Sequence, residues 1–184
     1  AACANATDTA TPQAAEGTRY VQVDGAGDGS DDAVASGEYA IAAGANSLSE
    51  GHGAIAIGRE TVAGSYSAIA IGTQAATAGE YALAMGHTAK ADGMSDVAVG
   101  AGAQAAGGSS VAIGGQYSTF VGWVKTKAEG SHAVAVGSGA NAAGSFATAI
   151  GPDAHALGEN TMALGEAASA DGFNSIALGL ISKA

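Results

Sequence analysis

The chain has 184 residues, of which 30 are glycine, 2 are proline and 5% are aromatic. Large apolar side chains are too scarce for a thick core, and glycine does not recur at every third residue as it does in collagen. The formal net charge is −11, from 17 acidic residues against 6 Lys plus Arg, which argues against nucleic acid and anionic membranes as partners. No run of about 18 apolar residues is present, so we expect no membrane insertion of this segment.

The N-terminal segment 1–32 precedes the repetitive part of the chain. Residues 1–17 are rich in Ala, Thr and Asn without apolar periodicity, which is typical of a disordered leader or linker. Residues 18–32 combine an alternating segment, which predicts a capping strand, with an acidic turn-rich loop. Asp24, Asp28 and Asp31 are weak candidates for a calcium site in that loop. Their spacing matches neither the EF-hand nor the nonapeptide repeat, so we favour a solvated loop.

A repeat of fixed period fills the rest of the chain. Near-copies of the segment 68–72 end at Gly44, Gly58, Gly72, Gly86, Gly100, Gly114, Gly137, Gly151, Gly165 and Gly179. Successive closing glycines are fourteen positions apart, except that Gly114 and Gly137 are twenty-three positions apart. A fixed period in this range is the signature of a solenoid. We therefore expect repeats over 33–114 and 130–184, with an insertion at 115–129 between them.

Small and large residues alternate within each repeat, which predicts β-strands with two different faces. Alanine stands two residues before the closing glycine in all ten copies, between larger residues such as Ile69 and Ile71. The second half of the repeat alternates again with small residues. Glycine is expected at both corners because it adopts positive φ freely. The pattern predicts an all-β fold, a parallel β-roll of about ten 14-residue coils with two short strands in each coil.

The alanine column predicts self-association. If the branched residues fill the roll, the alanines face outward as a long apolar stripe, which soluble monomers rarely expose. The opposite orientation would also leave an apolar face outside, so a partner is expected in either case. In the first orientation, the interface residues are Ala42, Ala56, Ala70, Ala84, Ala98, Ala112, Ala135, Ala149, Ala163 and Ala177.

The insertion at 115–129 holds the single tryptophan and two of the six basic residues. Aromatic and basic residues on a protruding loop are typical of binding hot spots. The candidate ligand-binding residues are therefore Tyr117, Phe120, Trp123, Lys125 and Lys127. The alternative is that the aromatic residues pack on a neighbouring coil or subunit. We favour this alternative because a lone tryptophan on a thin rod gains much by burial.

Catalytic, cofactor and metal motifs find no support in the sequence. The four histidines occupy different columns of the repeat and do not converge at metal-ligand spacing. No serine stands in a nucleophile-elbow pattern, and no phosphate-binding GxxxxGK[ST] motif occurs. We expect a protein that is not an enzyme and needs no cofactor.

The blocks 67–72 (SAIAIG) and 110–114 (SVAIG) resemble the head repeats of trimeric autotransporter adhesins, the YadA-like head family. The resemblance spans about residues 18–179. It implies a left-handed parallel β-roll with three chains around a common axis. It also implies display on the bacterial cell surface, through a stalk and an outer-membrane anchor outside this segment. The implied partners are a host extracellular-matrix protein or a cell-surface receptor.

Two other functions compete with an adhesive head. A purely structural or ice-binding β-solenoid is the main alternative, but ice binding would need a flat ladder of threonines, and Thr61, Thr73, Thr77 and Thr88 do not share a column. A hexapeptide-repeat acyltransferase needs a period of six residues, and fourteen is not a multiple of six. The prediction is therefore a non-enzymatic adhesive head that binds through an extended surface.

Overall fold

A computed structural model of the chain describes residues 29–120 and 122–184. In this part of the chain, twenty strands form two parallel sheets of ten, and two further strands form an antiparallel hairpin. No helix among these residues is long and apolar enough to cross a membrane. The leader at 1–17 and the predicted capping strand at 18–23 lie outside the described residues.

The strands alternate between the two sheets along the chain. The first sheet contains β1 (Val34–Ala35), β3 (Leu48–Ser49), β5 (Val62–Ala63), β7 (Ala76–Thr77), β9 (Lys90–Ala91), β11 (Gln104–Ala105), β15 (Lys127–Ala128), β17 (Asn141–Ala142), β19 (His155–Ala156) and β21 (Ser169–Ala170). The second contains β2 (Ile41–Ala43), β4 (Ile55–Ile57), β6 (Ile69–Ile71), β8 (Leu83–Met85), β10 (Val97–Val99), β12 (Val111–Ile113), β16 (Val134–Val136), β18 (Thr148–Ile150), β20 (Met162–Leu164) and β22 (Ile176–Leu178). The hairpin consists of β13 (Tyr117–Thr119) and β14 (Gly122–Val124).

Successive coils lie directly in register. Each strand pairs in parallel with the strand one coil away, so that Ala56, Ala70 and Ala84 stand side by side. The turns are stacked as well, since the N–H of Ser67 donates to the carbonyl oxygen of His52 at 2.9 Å. The predicted all-β solenoid of about ten coils is confirmed.

The core of the roll is made of small side chains. The alanines before the closing glycines are 0% exposed from Ala56 to Ala163, whereas Ile57 is 41% exposed. The orientation that the sequence analysis preferred is therefore wrong, and the opposite one is present. The structure places Ala56, Ala70, Ala84, Ala98, Ala112, Ala135, Ala149, Ala163 and Ala177 inside the roll, with Ala42 half-buried in the first coil.

The physical reason for this orientation is the small distance between the sheets. The side chains buried between the two sheets are small: in the described coils they are Ala, Ser and Thr, with Asp96 as the exception. Sheets that pack through ordinary side chains lie about 10 Å apart. Side chains little larger than a methyl group fit the narrower gap, so the branched residues must point outward.

The glycines at the two corners of a coil have different physical causes. A closing glycine such as Gly72 has a φ of 122°, which only glycine adopts readily. Gly79, which opens the next coil, does not have a positive φ. A Cβ atom there would lie only 1.9 Å from the carbonyl oxygen of Gly93 in the neighbouring coil. The predicted positive φ is thus correct for the closing corner and wrong for the opening corner, where close approach of the next backbone excludes a side chain.

One charged side chain lies inside the described part of the roll. Asp96 occupies a column that holds alanine in most coils, and it is 0% exposed. Its Oδ2 accepts from the N–H of Gly93 at 2.7 Å, and its Oδ1 accepts from the N–H and hydroxyl of Ser110 at 2.8 and 2.9 Å. Because these donors satisfy the carboxylate internally, Asp96 is a structural residue of the core rather than a site.

Candidate interaction surfaces

The outer side of the second sheet is an apolar face that runs along the whole roll. It consists of the first and third residues of each strand in that sheet, and every one is Val, Ile, Leu or Met except Ala43 and Thr148. These side chains are half-buried or exposed in the single chain, with Ile113 and Ile150 each 42% exposed. The name apolar face refers to this set below.

The apolar face is larger than the apolar patches that monomeric proteins usually expose. Ten coils at about 4.8 Å each, with two outward residues per strand, give a strip about 48 Å long and roughly 10 Å wide. Contiguous apolar patches beyond a few hundred Å² are rare on monomers. The first sheet differs, because its outer positions change from Leu48 and Val62 to Lys90, Gln104 and Lys127 along the roll. A large apolar surface is therefore restricted to one sheet.

The insertion folds as a β-hairpin that leaves the roll at one corner. Its strands pair Tyr117 with Val124 and Ser118 with Trp123. Lys127 already belongs to β15 and pairs with Gln104 of the first sheet. The end of the predicted insertion, at residue 129, therefore lies within the roll, and the nine additional residues fall between Gly114 and Thr126.

The base of the hairpin is fixed to the roll by polar and packing contacts. The hydroxyl of Tyr117 donates to Oδ1 of Asp153 at 2.5 Å. This bond raises the pKa of Tyr117, and burial and the charge of Asp153 act in the same direction. Tyr117 and Val124 also cover Gly139, where an added Cβ would lie within 3.0 Å of both side chains. The hairpin is thus held in one orientation on the roll.

The tip of the hairpin projects two aromatic side chains. Phe120 is fully exposed and Trp123 is 63% exposed in the single chain, whereas Tyr117 packs on the roll. Lys127 forms an ion pair with Glu129 at 3.1 Å and lies in the first sheet rather than on the hairpin. Of the five candidate ligand residues, Phe120 and Trp123 are the two that form the projecting surface.

A second group of aromatic residues lines the opposite corner of the roll. This corner, the first turn, joins a strand of the first sheet to the following strand of the second. Tyr39, His52, Tyr66 and Tyr81 form a continuous row across four coils, with ring centroids 5.4, 5.0 and 5.5 Å apart. We call this row the aromatic ladder. All four side chains are exposed.

The sequence analysis missed the aromatic ladder because its members do not share one column. Tyr39 and Tyr81 lie five residues before their closing glycines, whereas His52 and Tyr66 lie six before theirs. The rings meet because these two positions are neighbours on the same turn. A search for aromatic residues over both turn positions, rather than over one column, would have detected the ladder.

The remaining candidates form no metal or ice-binding surface in the described residues. Asp24 and Asp28 lie outside them, and the backbone carbonyl oxygen of Asp31 accepts from the N–H of Asn46 at 2.9 Å. No group of three or more His, Cys, Asp or Glu that could hold a metal ion occurs between residues 29 and 120 or 122 and 184. Thr61 and Thr77 are buried inside the roll.

Stacked coils, a long apolar outer face and a projecting hairpin define the class of protein as a β-solenoid that presents extended surfaces. The family model described as the YadA head domain repeat matches residues 31–116, 128–154 and 156–180 in overlapping segments. These matches cover most of the chain, and the chain belongs to this family. The matches omit residues 117–127, where the hairpin leaves the roll. No sequence among the curated proteins matches the chain significantly.

Proposed function

We propose that this chain is the non-enzymatic head of a trimeric autotransporter adhesin. Three copies assemble around a common axis as left-handed rolls, and the assembly is displayed on a bacterial outer membrane through parts beyond this segment. The head attaches the cell to host cells or to extracellular matrix. Membership of the YadA head family supports an adhesin-type domain.

The observation that carries this proposal is the apolar face. A roll fills its own core with alanine, so the outward Ile, Val, Leu and Met residues serve no purpose inside a single chain. Burying apolar surface contributes about 25 cal/mol per Å², which makes a strip of this length a strong drive to associate. Interfaces between subunits of permanent oligomers have this apolar character.

The interface residues in this proposal replace those of the sequence analysis. The contacts between chains are made by the outward positions rather than by the alanines. Examples are Ile69 and Ile71 in the third coil and Val97 and Val99 in the fifth. Because the repeat is in register, each chain offers the same strip at every coil. Rolls that pack along their length then bury the whole apolar face at once.

The proposed ligand-binding surface is the tip of the hairpin, whose residues are not part of the apolar face. The hairpin projects from a corner, and its tip presents Phe120 and Trp123 to solvent in the single chain. Exposed aromatic residues at the centre of a contact contribute a large share of binding energy in protein interfaces. The tip is therefore our first candidate for contact with a host protein.

Attachment itself tests the proposal. Beads coated with the protein are applied to cultured host cells and to a panel of purified extracellular-matrix proteins, beside beads coated with an unrelated acidic protein of similar net charge. We expect attachment to cells and to at least one matrix protein, well above that of the control beads. Attachment no greater than that of the control beads on every surface would contradict an adhesive role.

A further inference from the structure

The aromatic ladder is held rigidly by the backbone beneath it. The N–H of Tyr81 donates to the carbonyl oxygen of Tyr66 at 2.9 Å, and the N–H of Ser67 donates in the same way to His52 at 2.9 Å. The rings of His52 and Tyr66 are parallel within 2°. A surface carried on a hydrogen-bonded backbone loses less entropy when a partner binds than a flexible loop does.

The fold itself gives no reason for aromatic residues at the ends of the ladder. Tyr39 and Tyr81 each have a φ of 59°, a left-handed conformation that is disfavoured for bulky residues. Two other coils hold Asn160 and Asn174 at the same turn position, with φ of 55° and 56°. Because asparagine tolerates this conformation better than tyrosine, stability alone would not select tyrosine.

Carboxylates border the ladder at both ends. Glu38 and Glu80 lie in the same column as His52 and Tyr66, one coil before and one coil after them. In the described coils, the first turns contain no lysine or arginine. Glu38 lies 3.8 Å from Nε2 of His52, and no described lysine or arginine forms an ion pair with Glu80. The edge therefore combines exposed aromatic rings with carboxylates that no lysine or arginine of the described residues neutralises.

We infer that the aromatic ladder, with Glu38 and Glu80, is a binding site for a basic, extended segment of a partner polypeptide. Arginine or lysine side chains lie over the rings of Tyr39 and Tyr81 at the two ends of the ladder, since aromatic rings attract cations through their faces, and the adjacent carboxylates receive the charge. The two glutamates are three coils apart, about 14 Å, which equals about four residues of an extended chain. Residues at i and i+4 of such a chain point to the same side, so two basic side chains can reach both carboxylates.

This inference rests on the proposed function because it names a partner class for the adhesive head. The two claims can nevertheless fail separately. If the coated beads attach to cells while basic peptides do not bind, the ladder inference alone fails. If basic peptides bind at the ladder but the coated beads attach to neither cells nor matrix proteins, the adhesive function alone fails.

The test uses a fluorescein-labelled dodecapeptide of alternating arginine and serine, with its binding to the full chain measured by fluorescence anisotropy. The comparison peptide carries glutamine in place of every arginine. We expect the arginine peptide to bind and the glutamine peptide to bind at least about tenfold more weakly. Equal binding of the two peptides, or no binding of either, would overturn the inference.

Matched variants locate the site. Tyr81→Asn and Glu80→Gln should each weaken binding by roughly threefold or more, and the double variant Tyr66→Leu/Tyr81→Asn by about tenfold. The controls are Phe173→Asn and Glu166→Gln. Phe173 is an exposed aromatic residue of the first turns for which no ring contact is seen in the described residues, and Glu166 is an exposed carboxylate at the opposite corner. We expect the controls to bind within about twofold of the wild type. If the control substitutions weaken binding as much as the ladder substitutions do, the peptide is attracted to the acidic protein in general. That result would overturn the assignment of the binding site to the ladder.

Folding and an alternative ligand are checked in the same samples. Tyr81→Asn should melt at the same temperature as the wild type or higher, because asparagine suits the left-handed position. If the variant loses peptide binding while its melting temperature is not lowered, the loss is caused by the missing ladder side chain and not by unfolding. Maltohexaose is the competing probe, since aromatic rows also bind neutral sugars. Displacement of the arginine peptide by maltohexaose at comparable concentration would contradict recognition by charge.

Discussion

Gly79 shows how strictly the roll limits single residues at its opening corner. The position has ordinary backbone angles, so alanine would be acceptable there in an isolated coil. In the stacked roll, an added Cβ would lie 1.9 Å from the carbonyl oxygen of Gly93 and 2.3 Å from its carbonyl carbon. Both contacts are to backbone, which cannot move aside without disturbing the hydrogen bonds between coils. The requirement for glycine is therefore set by the neighbouring coil.

We predict that Gly79→Ala lowers the free energy of unfolding by about 3 kcal/mol, the range in which overpacking of a rigid site lies. Gly115→Ala is the matched control, because nothing lies within 4 Å of a Cβ atom there and its φ is not positive. Thermal melting followed by circular dichroism measures both variants. A melting temperature for Gly79→Ala equal to that of Gly115→Ala would contradict the steric explanation.

The bond between Tyr117 and Asp153 makes the anchoring of the hairpin sensitive to alkaline pH. The pKa of Tyr117 is raised above its ordinary value of 10.0, first by the hydrogen bond to Asp153 and then by burial and the charge of that residue. Because the folded-state pKa is the higher one, the contribution to stability is fully present below pH 10. It is lost as the pH rises through the folded-state pKa.

Two measurements check this pH dependence. In an ultraviolet titration of tyrosinate, we expect Tyr117→Phe to remove the step that occurs at the highest pH. The same variant should lower the free energy of opening the hairpin by about 1 kcal/mol, measured by amide exchange over residues 117–124. Tyr81→Phe serves as the control: it lowers the total tyrosinate signal by one residue but should leave the step at the highest pH and the opening of the hairpin unchanged. Identical titrations for wild type and Tyr117→Phe would argue against the bond.

At the level of elements, the hairpin was located from the sequence but its form was not. The longer interval between Gly114 and Gly137 shows that this coil contains nine additional residues. The interval alone does not locate them within the coil. The antiparallel pairing of β13 with β14 has no precedent in the repeat, so no column predicted it. The packing of Tyr117 on the roll and the exposure of Trp123 follow from that pairing. Tyr117 is paired with Val124, and Trp123 precedes Val124 on the same strand and so faces the opposite side.

Deletion of residues 116–124 tests the role of this element. The deletion leaves Gly115 and Lys125 as a two-residue turn and restores the regular interval between closing glycines. We expect the shortened roll to fold with similar thermal stability, since β12 and β15 keep their partners, and to lose attachment to host cells.

A milder variant separates the aromatic tip from the hairpin as a whole. Phe120→Ser/Trp123→Ser keeps both strands and removes the two exposed rings. We expect at least about a tenfold loss of attachment, as for other aromatic hot spots. Ser118→Ala is the matched control on the same strand pair. Full attachment by the double variant would exclude the tip as the contact surface.

At the level of the whole molecule, the 14-residue period and the alternation of small and large residues predicted the solenoid. They could not predict which residues of each strand point into the roll. Ile69 and Ala70 alternate equally well in either orientation. The choice depends on the distance between the two sheets, which no residue pattern states directly. The small residues in both halves of the repeat, such as Ala89 and Ala91, were the available signal. With alanine on the inner faces of both sheets, the sheets can pack closely, and the branched residues then point outward.

The apolar face can be disrupted without touching the core of the roll. Ile71→Lys places a charge within the face, on the third of its ten strands, and we expect it to dissociate the assembly because a buried unpaired ammonium costs several kcal/mol. Ala76→Lys is the control, since it adds the same side chain to the outer side of the first sheet, next to Lys90 in the neighbouring coil. Size-exclusion chromatography compares the two. Dissociation by both variants, or by neither, would argue against the apolar face as the interface.

The molecular mass of the native protein in solution tests the central claim most directly, namely that the apolar face joins three chains into one head. Sedimentation equilibrium of the wild-type chain at micromolar concentration measures this mass without a reference shape. One chain has a mass of 17.3 kDa, so three chains amount to about 52 kDa by simple multiplication. We expect a single species of the mass of three chains. A single species at the mass of one chain would contradict the account.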